Sequence, residues 1–106
     1  MTGNQDSYKQ FMSLGHNAAW DLDWDTAIEQ YELALKDIPE DSKALTALGL
    51  AFTELQKFME AIDFYKRAAK ASGNDPVIIE RIAHLYERLG DLTNATKFSV
   101  EAGDQY

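Results

Sequence analysis

The chain has 106 residues, enough for one domain and near the lower edge of comfortable single-core size. Hydrophobic residues make up 45%, so a core can form, while 10 Lys and Arg against 18 Asp and Glu leave a net charge of −8. That balance argues against nucleic acid and anionic membranes, which demand a basic footprint, and the lack of cysteine excludes disulfides, thiolate nucleophiles and Cys–zinc sites.

The opening MTGNQDSYKQ is polar and no apolar run approaches the ~18–20 residues of a membrane span. No signal peptide or transmembrane segment is therefore expected, and the expected location is cytoplasmic. Residues 1–7 are expected to be a flexible lead-in. From Tyr8 the chain reads as three units, 8–41, 42–75 and 76–106, each holding two helical patterns.

In the first unit Phe11, Leu14, Gly15 and Ala18 fall at i, i+3, i+4 and i+7, one face of a helix. Trp24 stands just before the second helix, where it would plug the turn, and Ala27, Tyr31 and Ala34 mark that helix. Pro39 stops it, and Asp41-Ser42 supplies an N-cap for the next. The second unit repeats the sentence with Leu45, Leu48, Gly49 and Phe52, then Phe58, then Ala61, Tyr65 and Ala68. Ser72-Gly73-Asn74-Asp75-Pro76 closes it, with Asp75 as cap and Pro76 in the first turn, where a missing N–H is harmless. The third carries Ile79, Ile82, Ala83 and Tyr86, a turn at Gly90-Asp91, the plug Leu92, and Ala95, Ser99 and Ala102.

Equivalent positions are 34 residues apart throughout, as in Leu14/Leu48/Ile82 and Ala27/Ala61/Ala95. A fixed period of this size means stacked supersecondary units rather than one mixed core. The small residues let the paired helices approach closely: Gly15 with Ala27, Gly49 with Ala61, Ala83 with Ala95. A helical glycine costs ~1 kcal/mol against alanine, so Gly15 and Gly49 need a packing reason.

Period, helix pairing and the set of small and aromatic anchors resemble the tetratricopeptide repeat over nearly the whole chain. Ala18 stands where that family usually has an aromatic, Phe11 replaces a frequent tryptophan, and Ser99 replaces a tyrosine. The expected fold is all-α: a right-handed superhelical α-solenoid of three antiparallel helix pairs. The resemblance implies protein–protein interaction, with the first helix of each unit lining a concave groove in which a peptide or partner domain docks.

Helical spacing then nominates the groove residues. They are Lys9, Met12, His16 and Trp20 in the first unit, and Lys43, Thr46, Leu50, Thr53 and Glu54 in the second. The third offers Val77, Glu80, Arg81, His84, Glu87 and Arg88. Met12, Trp20, Leu50 and Val77 are off the buried stripe and suit a docking surface. The bland alternative has Trp20 folding back on its own turn and Leu50 bridging helices. Lys9 and Lys43 fall near one edge, while Asp21, Asp23, Glu54 and Glu87 gather toward the turns, so a ligand with a basic segment near the turns and an acidic or carboxylate end near the lysines fits.

One subclass of the resembled family clamps the carboxylate of chaperone tails. Its positions correspond here to Met12, His16, Ala47, Val77 and Arg81, of which only Arg81 has the right chemistry, so no such clamp is expected. His16 and His84 are two repeats apart and ~20 Å distant, too far to share a metal. Asp21-Leu-Asp-Trp-Asp25 opens like a calcium loop, but Thr26 stands where the loop needs glycine, and an Asp-capped turn is the better reading. No enzyme activity, cofactor or metal is expected.

The last helix swaps Ile28 and Ile62 for Thr96, Tyr31 and Tyr65 for Ser99, and Leu35 and Ala69 for Gly103. That polar outer face suits an end of the stack. Phe98, Val100 and Tyr106 remain there, and a homodimer through this uncapped helix, or by exchange of it, is the competing expectation.

Overall fold

The computed structural model describes residues 3–103, and among them every element is an α-helix. In chain order these are α1 (Gly3–Trp20), α2 (Trp24–Asp37), α3 (Ser42–Glu54), α4 (Phe58–Ala71), α5 (Pro76–Arg88) and α6 (Leu92–Gly103). Each helix packs chiefly on its neighbours in sequence, so three antiparallel pairs stack in order into an all-α solenoid of 44 × 28 × 18 Å. Residues 3–7, expected as a flexible lead-in, are helical, with Asp6 placed favourably in the first turn of α1.

The helix starts follow from side-chain caps. Asp23, Asp41, Asp75 and Asp91 each accept the backbone N–H two or three residues on, at 3.2, 3.0, 2.9 and 3.1 Å. Lys57 stands at the same place before α4 and gives no cap bond. Three turns inside the pairs share one ending. Asp23, Lys57 and Asp91 donate their N–H to the carbonyls of Ala18, Phe52 and Tyr86, at 2.8, 2.9 and 2.9 Å. The residue before each is left-handed: Leu22 at φ 62°, Gln56 at 62°, Gly90 at 79°. This is the Schellman ending, which favours glycine at the left-handed position. Only the third turn has one.

Two apolar clusters join into one core. One gathers Met12, Ala18, Ala27, Tyr31, Ala34, Ala44 and Leu48, and the other gathers Leu45, Ala61, Ile62, Tyr65, Ile79, Ile82 and their neighbours. Phe52 stacks on Phe64 at 5.3 Å between them.

The close approach expected at the glycines is real, and the side chains nearest to it are those of Tyr31 and Tyr65. A Cβ on Gly15 would fall 2.5 Å from the Tyr31 ring, and one on Gly49 would fall 2.8 Å from that of Tyr65. The glycines therefore make room for the tyrosine rings. The third pair has Ser99 in place of tyrosine, and there Ala83 replaces the glycine.

Three further expectations are corrected. Leu14, read on the buried stripe, is 43% exposed, although Leu48 and Ile82 at the same position are fully covered. Helices α2 and α4 cover those two, and no described helix precedes α1. Leu92 does not plug its turn as Trp24 and Phe58 do; it is 68% exposed, because no described pair follows α6. Met12, read as off the stripe, is buried in the first cluster, where its flexible thioether chain fills space beside Tyr31.

Tyr8 ties the first pair to the second. Its hydroxyl donates to Asp41 Oδ2 at 2.5 Å, while the same oxygen caps α3. Burial first, and then this hydrogen bond, push the Tyr8 phenol well above its ordinary range.

Candidate functional site: the groove of the odd-numbered helices

Helices α1, α3 and α5 run parallel to one another and line one face. A groove of about 620 Å³ opens there. Its apolar lining includes Met12, Ala19, Trp24, Ala47, Leu50, Val77 and Ile78, and its polar lining includes His16, Ser42, Lys43, Thr46 and Arg81. A second hollow of about 240 Å³ shares Leu50 and Arg81 with it and adds Thr53, Tyr65, His84, Leu85 and Arg88. The two form one trough along the stack.

Several polar groups in the trough are already oriented. His16 Nδ1 hydrogen-bonds the Tyr31 hydroxyl at 2.8 Å, the two rings meeting edge-on at 5.4 Å. Burial raises the Tyr31 phenol above its ordinary value, so it stays neutral near neutral pH. Arg81 lies over the Tyr65 ring at 5.9 Å and reaches its hydroxyl at 3.5 Å. Arg88 sits 4.8 Å above the Phe58 ring. His84 Nδ1 meets Glu87 Oε1 at 3.1 Å, and Thr53 donates its hydroxyl back to the Gly49 carbonyl at 2.7 Å.

Of the residues nominated by spacing, Met12, His16, Lys43, Thr46, Leu50, Val77 and Arg81 line the larger hollow, and Thr53, His84 and Arg88 the smaller. Lys9, Trp20, Glu54, Glu80 and Glu87 line neither. Trp20 is 89% exposed, so it does not fold back on its own turn. Leu50 and Val77 are 43% and 53% exposed, leaving apolar surface open to a ligand. All five positions of the chaperone-tail clamp, Met12, His16, Ala47, Val77 and Arg81, do line the groove, with one permanent cation among them.

Spacing missed Ala19, Trp24, Tyr31, Ser42, Ser72, Asp75 and Ile78. Tyr31 and Trp24 belong to α2 and reach the groove from behind α1, beside Gly15 and Ala19. The signal was available: a glycine facing a tyrosine on the paired helix leaves an opening through which the ring shows. Ser72 and Asp75 come from the loop before α5, which helical spacing does not place.

The charge of the trough differs from that of the chain. Lys43, Arg81 and Arg88 line it against Asp75, whose carboxylate is engaged as a cap. A chain of net −8 thus presents a locally cationic trough. Asp23 of the calcium-like motif is spent on the Thr26 N–H, as an Asp-capped turn requires. Among the described residues no group of three or more His, Asp and Glu could hold a metal ion, and no helix is long and apolar enough to cross a membrane.

The sixth helix is less open than its sequence implies. Phe98 stacks on Tyr86 at 5.6 Å and packs against the core. Val100 is 58% exposed. Tyr106 lies outside the described residues.

A family model described as the tetratricopeptide repeat matches residues 44–76. Mouse tetratricopeptide repeat protein 21A is 30% identical over 76 residues, which is 72% of this chain and 6% of that protein's length. Among solved structures, a point mutant of MamA superposes with a TM-score of 0.83 at 26% identity, over 93% of this chain and 72% of its own. PcrH, in complex with the chaperone binding region of PopB, gives 0.83 at 25% identity, over 92% and 78%. The N-terminal domain of stress-induced protein-1 from C. elegans gives 0.91 over 100% and 89%, and at 18% identity it speaks for the fold alone.

Proposed function

We propose that this chain, a tetratricopeptide-repeat protein, acts as a protein-interaction module, a scaffold or adaptor holding a peptide or an extended partner segment in the trough of α1, α3 and α5. The observation that carries this reading is the juxtaposition of open apolar side chains, Leu50 and Val77, with the cations Lys43 and Arg81 in one hollow of about 620 Å³. Preformed helices spare the receptor an ordering cost on binding. Apolar anchors in such a site supply affinity and charges set register.

The ligand that fits has apolar anchors for Leu50 and Val77 and a carboxylate for Lys43 or Arg81. A basic stretch beside it would run toward Glu54 and Glu87 outside the hollow. His16, with Nδ1 held by Tyr31, has Nε2 left to serve a ligand. With Arg81 the one permanent cation at the clamp positions, a chaperone-tail carboxylate clamp is not part of this proposal.

Selection of a displayed random-peptide library on the immobilised chain tests the reading. The expected peptides combine apolar and acidic residues, and Leu50→Ala or Arg81→Glu weakens them by about tenfold while the far-ultraviolet spectrum is unchanged. Peptides that bind both variants like wild type would refute it.

Self-association through α6 is the second reading, favoured by the exposed Val100. It predicts a concentration-dependent mass that Val100→Asp abolishes. A monomer at all concentrations removes it.

A further inference from the structure

A second surface lies on the edge formed by the turns α1–α2, α3–α4 and α5–α6. The odd helices are parallel, so all three turns fall on the same side of the stack. Trp20, Leu22, Met59 and Leu89 are exposed there, at 89, 71, 58 and 41%. The repeat carries Leu89, which matches Leu55 one period earlier, but it does not ask for the other three. Trp20 is replaced one and two repeats later by Glu54 and Arg88, Leu22 by Gln56 and Gly90, and Met59 corresponds to Asp25 and Thr93.

Leu22 adds a separate reason. It holds a left-handed backbone at φ 62°, where Gly90 does the same task without a side chain. A leucine that is strained, exposed and outside both hollows serves neither core nor groove. Gln56 holds the same angle in the next turn, so the backbone is the turn's own, and what is particular to Leu22 is an exposed apolar side chain at that place.

The chemistry of the occupant follows from the flanks. Trp20 and Leu22 alternate with Asp21, Asp23 and Asp25, and Glu54 follows on the neighbouring turn. Among the described residues Asp21, Asp25 and Glu54 make no ion pair. Lys57 is the cation of the middle turn, and Arg88 is stacked on Phe58. An apolar knob ringed by carboxylates matches an apolar pocket or helix face rimmed by lysine and arginine. A second copy meeting this edge with its own would bring the same carboxylates, and an anionic membrane would be repelled.

We propose that the Trp20–Leu22 knob of the α1–α2 turn, with its carboxylate ring, is a second docking surface for a basic, amphipathic helical segment of a partner protein, separate from the groove.

The probe is a synthetic amphipathic helix of leucine and lysine, labelled for fluorescence anisotropy, with a leucine–glutamate counterpart as control. Wild type is expected to bind the lysine form and not the glutamate form, with affinity falling as salt rises. Trp20→Ser and Leu22→Gly should each weaken it about tenfold, whereas Leu50→Ala in the groove should not. Leu22→Gly is the decisive variant, because relief of the left-handed strain leaves the fold at least as stable. Unchanged binding in both turn variants overturns the proposal. So does equal binding of the glutamate helix, or a loss confined to Leu50→Ala. Binding of anionic vesicles with loss in Trp20→Ser would make the occupant a membrane, and self-association lost in Trp20→Ser would make it a second copy. Either result also overturns it.

Discussion

Gly49→Ala is expected to change sign with the residue opposite it. In an ordinary helix this replacement stabilises by ~1 kcal/mol, from helix propensity. Here the new methyl would sit 2.8 Å from three carbons of the Tyr65 ring. Tyr65 is 2% exposed, so the ring cannot swing into solvent. Overpacking of this kind costs ~1–3 kcal/mol, leaving a net destabilisation of ~0–2 kcal/mol. Tyr65→Ser, which copies the third pair, removes a buried ring at a cost of ~3–5 kcal/mol. In that background the ring that opposes the methyl is gone, and Gly49→Ala should stabilise by the full ~1 kcal/mol. The coupling between the two sites is then ~1–3 kcal/mol, measurable by urea unfolding of the four proteins followed by circular dichroism. A Gly49→Ala effect that is stabilising and equal in both backgrounds would refute the packing argument.

Other outcomes follow from single features. Lys57→Asp should give α4 the cap that Asp23 and Asp91 give α2 and α6, raising stability by ~1 kcal/mol in denaturant unfolding. Gln56→Gly should raise the melting temperature, because it relieves a non-glycine residue at φ 62°; an unchanged or lower value would contradict the turn geometry. Tyr8 holds its proton more tightly when folded, so its contribution is complete below the ordinary phenol value of 10.0 and is lost as pH rises above it. Spectrophotometric titration should find Tyr8 and Tyr31 resisting ionisation in the normal range, Tyr8 the more strongly, and Tyr8→Phe should remove the more resistant of the two. Asp91 is shifted the other way, lowered by its hydrogen bonds to the Asn94 side chain and backbone. Its cap should persist through mild acid and fail as pH falls through the depressed carboxyl range, with Asp91→Asn flattening that part of the stability profile.

The fold was readable from the sequence because the same anchors recur in register, and the helices begin and end where Asp41, Pro39, Asp75 and Gly90 place them. Exposure at the two ends was not readable from periodicity. Leu14 and Leu92 repeat the pattern of buried residues and lack only the neighbour that would bury them. The groove was partly readable, since Leu50, Val77, Lys43 and Arg81 lie on the predicted faces. Trp24 and Tyr31 were missed because they belong to the second layer and show through gaps left by small residues on α1. Trp20 lines neither hollow although Arg88, at the same place two repeats on, lines the smaller one; that hollow is built by residues of α3, α4 and α5, and periodicity alone does not tell the two positions apart.

The proposed role of α1, α3 and α5 is to form the face that grips a partner. The direct measurement is the amide nitrogen–proton spectrum of the labelled chain, titrated with a peptide from the library selection. The shifted amides should cluster around His16, Thr46, Leu50, Val77 and Arg81. Shifts centred on α2, α4 and α6, with these residues unmoved, would contradict it.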